Sequence, residues 1–258
     1  MNLRWSRIVS RIRPYIWLVF PVGILLVSVV VAIVIIRHDR AVDVESASNV
    51  IVDCSGARSS DFACWQSRYQ AMVARKSPEA AFVDFKENYK TNPYITSNCH
   101  QIGHVIGRAA ALKYATLSET YKHGDDFCWS GYYHGATETV AKKIGKDKLL
   151  SKITTVCQDF YKAGKYSFDH YNCVHGMGHG VMAVENGELF TALKLCDGYT
   201  DNWERQSCYG GVFMENVMNE INPGKRSSYL KQDDPLYPCT ASKIDTRNNV
   251  ISCRPRTH

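Results

Sequence analysis

Two stretches of this chain match position for position, Cys128-x-x-Gly131-x-x-His134-Gly135 and Cys173-x-x-Gly176-x-x-His179-Gly180. A match of that kind implies that related structural units recur along the chain, and this restricts the fold more than composition does. Helix-like segments open with a cysteine at 64, 99, 128, 173 and 208, at intervals of 35, 29, 45 and 35 residues. That is the spacing of helix-turn-helix repeats. In three units the preceding helix ends in a cysteine, at Cys157, Cys196 and Cys239, so a disulfide across each turn would staple the hairpin.

All ten cysteines lie between Cys54 and Cys253, an even number that fits a disulfide framework in an oxidising compartment. Local spacing pairs Cys54 with Cys64, Cys157 with Cys173, Cys196 with Cys208 and Cys239 with Cys253, leaving Cys99 for Cys128. No C-x-x-C pair occurs, so zinc is a poor alternative use of these thiols.

Strand patterns are scarce. Capping and turn residues predict helices over about 99–117, 127–143, 146–163, 172–185, 188–196 and 201–219, besides one opened by Ser77-Pro78-Glu79. The expected fold is all-α, tandem disulfide-stapled helical hairpins behind one N-terminal transmembrane helix. Glycines complicate this pattern. Gly103 and Gly107, Gly131 and Gly135, and Gly176 and Gly180 each sit four apart inside a predicted helix. Six helical glycines cost on the order of 6 kcal/mol relative to alanine. Glycines four apart share one face and let backbones approach, so these three helices are expected to cross tightly.

The same segments carry the candidate chemistry. His100-Gln101-Ile102-Gly103-His104 and His175-Gly176-Met177-Gly178-His179 each set two imidazoles one helical turn apart, and His134 has Glu138 at that spacing. Five of the nine histidines thus fall on three glycine-lined helices. Imidazole sets suit a transition metal such as Zn, Cu or Fe, whereas Ca and Mg prefer oxygen cages. The candidate metal ligands are His100, His104, His134, His175 and His179, with Glu138 as a further ligand or catalytic base. Neither H-E-x-x-H nor E-x-x-H occurs, so zincin proteases and ferritin-like di-iron sites have no support. The fourth unit, Cys208-x-x-Gly211-x-x-Met214-Glu215, replaces the histidine with Met214. Met177, Met182, Met214 and Met218 are read as gap fillers in the core. His123 and His170 are read as turn residues at the surface or behind the ligands.

Residues 15–36 form an uncharged run of 22, long enough at about 1.5 Å per residue to cross a bilayer core of about 30 Å. Arg4, Arg7, Arg11 and Arg13 precede it, which places 1–14 in the cytoplasm and the rest outside. Residues 37–60 read as a tether, and 61–258 as the extracytoplasmic helical domain. The first 40 residues hold six arginines and one acid, so 41–258 are near neutral with 25 basic and 24 acidic residues. This argues against a nucleic-acid-binding domain, which should show a basic face. The expected partner is therefore the membrane, through 15–36, with a protein or small-molecule ligand of unknown identity. Two functions compete on these grounds: a metal-dependent redox or hydrolytic enzyme, and a helical-repeat interaction module whose histidines are structural.

Overall fold

The computed structural model describes residues 51–161, 166–221 and 227–241. Residues 1–14, the predicted membrane span 15–36 and the first part of the 37–60 tether lie outside them. Among the described residues no helix is long and apolar enough to cross a membrane.

The described residues form ten α-helices and no strand. These are α1 (Phe62–Arg75), α2 (Pro78–Thr91), α3 (Pro93–Ser97), α4 (Cys99–Lys113), α5 (Leu117–Lys122), α6 (Gly131–Ile144), α7 (Lys146–Lys152), α8 (Phe168–Val184), α9 (Leu189–Cys196) and α10 (Asn202–Ile221). Their starts follow the capping chemistry of the sequence. Asp61, Ser77, Asn92, Thr116 and Ser167 each accept a backbone N–H of the first turn through the side chain, and Pro78 and Pro93 open α2 and α3.

Four boundaries depart from the sequence pattern, one of them the helix expected from 172, which begins at Phe168 because Ser167 caps it through the His170 amide. The helix expected over 99–117 stops at Lys113, because Tyr114 is extended and Thr116 caps a separate helix. The one expected over 146–163 stops at Lys152; Thr154, Thr155 and Val156 are β-branched, and the Thr155 hydroxyl turns back onto the Lys152 carbonyl at 2.8 Å. The helix expected from 127 begins at Gly131, behind three consecutive residues with left-handed backbone, Cys128 (φ 59°), Trp129 (φ 56°) and Ser130 (φ 62°). None is a glycine, so this turn carries strain of about 1 kcal/mol or more per residue.

Four disulfides link Cys54 to Cys64, Cys99 to Cys128, Cys157 to Cys173 and Cys196 to Cys208. Three of these pairs agree with the local spacing, and Cys99–Cys128 is the pair that the spacing leaves over. Cys239 is also disulfide-bonded, and its expected partner Cys253 lies outside the described residues. The Cys99–Cys128 link closes 29 residues and ties the start of α4 to the left-handed turn. A Cys99→Ser/Cys128→Ser chain is expected to lose about 3–4 kcal/mol of stability, read as a lower urea midpoint. A loss under about 1 kcal/mol would show that the turn holds without its tether.

The long helices α4, α6, α8 and α10 pack in series, each on the next, with α1 and α2 against α4 and with α9 against α8 and α10. Glycines set the spacing. A Cβ built on Gly107 would lie 1.9 Å from the Tyr132 carbonyl oxygen, and one on Gly135 would lie 2.2 Å from that of His104. The α4–α6 crossing is thus backbone against backbone. On α8 the glycines serve both sides: Gly176 and Gly180 face α6, while Gly178 meets Gly211 and the Cys208 carbonyl on α10. The aromatic core includes Tyr69, Phe85 and Tyr132 beside this stack, and Met177, Met182 and Met218 are buried within it.

Candidate metal centre

The close crossings bring the histidines of α4, α6 and α8 together. His100 and His104 project from α4, His134 from α6 and His179 from α8, and all four are buried. One ring nitrogen of each lies within 4.8 Å of those of the other three. Four buried imidazoles in this arrangement could hold a metal ion.

Each ring is oriented from behind by a polar partner. His100 Nδ1 contacts the Cys128 carbonyl at 2.8 Å, so the left-handed turn serves to aim that oxygen. His104 Nδ1 faces Glu138 Oε2 at 3.6 Å, and His179 Nδ1 meets Glu215 Oε2 at 2.8 Å. His134 Nε2 contacts Asn172 Oδ1 at 3.1 Å, while the Asn172 amide nitrogen donates to the Phe168 carbonyl at 2.9 Å. That second bond fixes which end of the amide faces His134. For His100, His134 and His179 the outer partner lies at hydrogen-bond distance, so an N–H directed to it leaves the other ring nitrogen bare, while Glu138 draws His104 Nδ1 electrostatically. An outer acceptor behind every ligating imidazole is the recurring support of metal sites.

The inner nitrogens fit an ion in number and spacing. His100 Nε2 and His104 Nε2 are 3.1 Å apart. Two bonds of about 2.0–2.1 Å to one ion would span that distance at an angle of about 100°, between tetrahedral and octahedral values. Ligands trans across an ion sit about 4.2 Å apart at such bond lengths, so the widest separation needs a contraction of roughly half an ångström. His134 Nδ1 and His179 Nε2 are buried without a hydrogen-bond partner. Orphaned buried nitrogens are costly, at about 1–3 kcal/mol each, and a metal would satisfy them.

The electrostatics keep these rings neutral, as ligation requires. Burial, reinforced by repulsion from His104, pushes the His100 pKa down to about 3. Burial likewise takes His104 to about 4, against the pull of Glu138, and His179 to about 3. For His134, burial and the neighbouring imidazoles hold the pKa well below the ordinary value. The two carboxylates diverge. Burial drives Glu215 up to about 7. Burial would also raise Glu138, yet Arg108, His104 and Lys142 together hold it well below the usual range. Arg108 Nη1 is 2.8 Å from Glu138 Oε2, and Lys142 Nζ is 2.6 Å from Oε1.

His175 and Glu138 stand beside the four-histidine group. The His175 ring centroid is 4.6 Å from that of His134 and 5.3 Å from that of His179, and neither of its nitrogens has a hydrogen-bond partner. Burial and His179 push its pKa well below the ordinary value, and the Ser207 backbone offsets only part of this.

Other sequence expectations resolve differently. His123 caps α5, stacks on Tyr114 and contacts Glu79 at 2.6 Å. His170 lies within α8 and is fully buried, rather than in a turn. Glu215, Asn172 and Arg108 enter the site without having been singled out. Of these, only Glu215 carries a sequence signal, as it follows Met214 in the fourth copy of the repeat. Met214 itself is partly buried. Comparison with family models, characterised proteins and solved structures finds no match to this chain.

Proposed function

We propose that this chain is a membrane-tethered metalloprotein of an oxidising compartment, holding one first-row transition-metal ion on His100, His104, His134 and His179. The observation that carries the reading is the double orientation of each imidazole, with one nitrogen held from outside and the other turned inward. Four neutral nitrogens favour Zn, Cu or Fe over the hard, oxygen-seeking cations. The membrane anchor of this reading is the uncharged run 15–36 with the arginines before it, and the disulfides suit the compartment outside.

Glu138 then acts as a positioning residue for His104, since Arg108 and Lys142 occupy its oxygens and leave it a poor proton acceptor. His175 is the remaining imidazole beside the ion, available as a fifth ligand or as the group that handles protons of an entering molecule. Because all five histidines are buried, the centre suits redox or small-ligand chemistry better than hydrolysis of a large substrate.

Elemental analysis of the full chain, purified and reconstituted with each candidate ion, is expected to show about one equivalent of bound metal. Stripping it with a chelator should lower Tm by roughly 5–10 °C, the equivalent of about 2.7 kcal/mol at ligand a hundredfold above Kd in a domain of this size. No bound first-row metal and no thermal shift would leave the helical-repeat interaction module as the better reading. Glu215→Gln, which weakens only the outer support of His179, should reduce metal affinity by about 10- to 100-fold while the ion still binds. Unchanged affinity would remove Glu215 from the site.

A further inference from the structure

The left-handed turn before α6 meets both the histidine group and the solvent at one residue. Cys128 supports His100 from behind through its carbonyl, 2.8 Å from Nδ1, and its sulfur is bridged to Cys99, the first residue of α4 and the chain neighbour of His100. Three other disulfides have both cysteines among the described residues, and all six of those cysteines are buried. Cys99 is buried as well, whereas Cys128 is half-buried and is followed by Trp129, which is 77% exposed. Of the bridges with both ends described, Cys99–Cys128 is therefore the one open to a thiol in solution.

Opening that bridge changes what holds the turn. Cys128, Trp129 and Ser130 all keep positive φ without being glycine, a conformation that persists only where its surroundings enforce it. Besides the bridge, the turn carries the bond from the Ser130 N–H to the Asp126 carbonyl at 3.0 Å and the contact of the Cys128 carbonyl with His100. Of these two, only the His100 contact reaches α4. Relaxation of the turn toward negative φ reorients the peptide between Cys128 and Trp129 and so withdraws that carbonyl from His100. The sulfur bridge and the support of a candidate ligand are thus two ends of one strained segment.

We propose that Cys99–Cys128 is a thiol-exchange site through which a dithiol reductant loosens the metal centre, an inference that rests on the metal reading of the four histidines. A thiolate of the reductant attacks Cys128 Sγ, forming a mixed disulfide and releasing Cys99 as a thiolate at the start of α4, where the helix N-terminus favours negative charge. The second thiol of the reductant then displaces Cys128 and closes the reductant's own disulfide. Two electrons pass to the protein, and the two protons of the dithiol balance the two cysteine thiols formed. His100 loses its outer acceptor, and metal affinity falls about 10- to 100-fold, the usual cost of removing such a support. By linkage, the bound ion keeps the bridge oxidised by the same factor at equilibrium.

Competition against a chelating dye compares the zinc affinity of the full chain with that of Cys99→Ser/Cys128→Ser, which severs the bridge without supplying a thiolate to bind the ion. The variant is expected to bind zinc about 10- to 100-fold more weakly, while Cys54→Ser/Cys64→Ser, which removes the bridge at the start of α1, keeps the parental affinity. Equal affinity in all three, or an equal loss in both variants, would overturn the proposal while leaving the metal centre standing. No zinc on the intact chain would overturn the metal reading and this proposal with it. Should Cys99→Ser/Cys128→Ser not fold, the intact chain in a dithiothreitol redox buffer decides. Alkylation and peptide mapping give the reduced-to-oxidised ratio of Cys99–Cys128 relative to that of Cys54–Cys64 in the same sample, so that zinc bound by the buffer cancels. Saturating zinc is expected to lower this quotient at least about tenfold, and an unchanged quotient would overturn the proposal.

Discussion

Gly107→Ala and Gly135→Ala are expected to destabilise the domain by about 3 kcal/mol each, although alanine is the better helix former. The added methyl groups would meet the Tyr132 carbonyl at 1.9 Å and the His104 carbonyl at 2.2 Å, atoms of main chain that cannot rotate away. Relief requires α4 and α6 to separate, which opens the aromatic packing around Tyr132 as well. Gly210→Ala supplies the contrast. Its Cβ would reach only the His175 ring, Nδ1 at 3.3 Å and Cε1 at 3.5 Å, so small adjustments suffice and the helix-propensity gain of up to about 1 kcal/mol offsets them. Urea denaturation of the three variants measures this. Equal stabilities would mean that the helices do not cross on their backbones, and the histidine geometry built on that crossing would fall with it. If the crossing holds, Gly107→Ala and Gly135→Ala should also weaken metal binding, because they spread His104 from His134.

His134→Ala and His179→Ala are each expected to cost about 100-fold or more in metal affinity. Structural sites of four ligands bind zinc with about 10–16 kcal/mol, so one ligand corresponds to about 3 kcal/mol. His134 is the sharper test. It is the only histidine of the group on α6, and its removal leaves the site without a ligand from the helix between α4 and α8. His123→Ala, at the end of α5, should leave both affinity and stoichiometry unchanged. Competition against a chelating dye measures all three, and His175→Ala should weaken binding less than either ligand variant. Metal content that survives both His134→Ala and His179→Ala would defeat the centre as described.

Much of this arrangement is legible in the sequence, for identifiable physical reasons. The four-residue spacing of His100 with His104 places both on one helix face, and the shared Cys-Gly-His register puts His134 and His179 at equivalent positions on neighbouring helices. Three disulfide pairs follow from short separations along the chain, and Cys99–Cys128 follows as the remainder. The left-handed turn at Cys128, Trp129 and Ser130 is not legible, because none of these residues favours positive φ; the turn is held by the Cys99 tether and by its carbonyl on His100. The support of His179 by Glu215 is hidden for another reason. Glu215 sits in the unit where Met214 replaces histidine, so the pattern reads as lapsed although its carboxylate still serves the site. Asn172 gives no signal at all, since its role depends on α6 lying against α8. The second faces of α8 escape notice too: Gly178 reads as part of the histidine pentad, while in space it is the contact to α10.

The backbone contact at Gly107 and Gly135 has a consequence for which ion the protein selects. Where side chains separate two helices, a site can widen or shrink with its guest as rotamers shift. Here main chain rests on main chain, so the backbone frame has a set bore, and only small rotations of the histidine side chains can follow the radius of whatever enters. Left to a pliant set of imidazoles, copper would outcompete the other divalent ions of its row. A frame of fixed bore ranks its guests by fit as well as by that intrinsic order, so the glycines, which touch no ion, take part in choosing it.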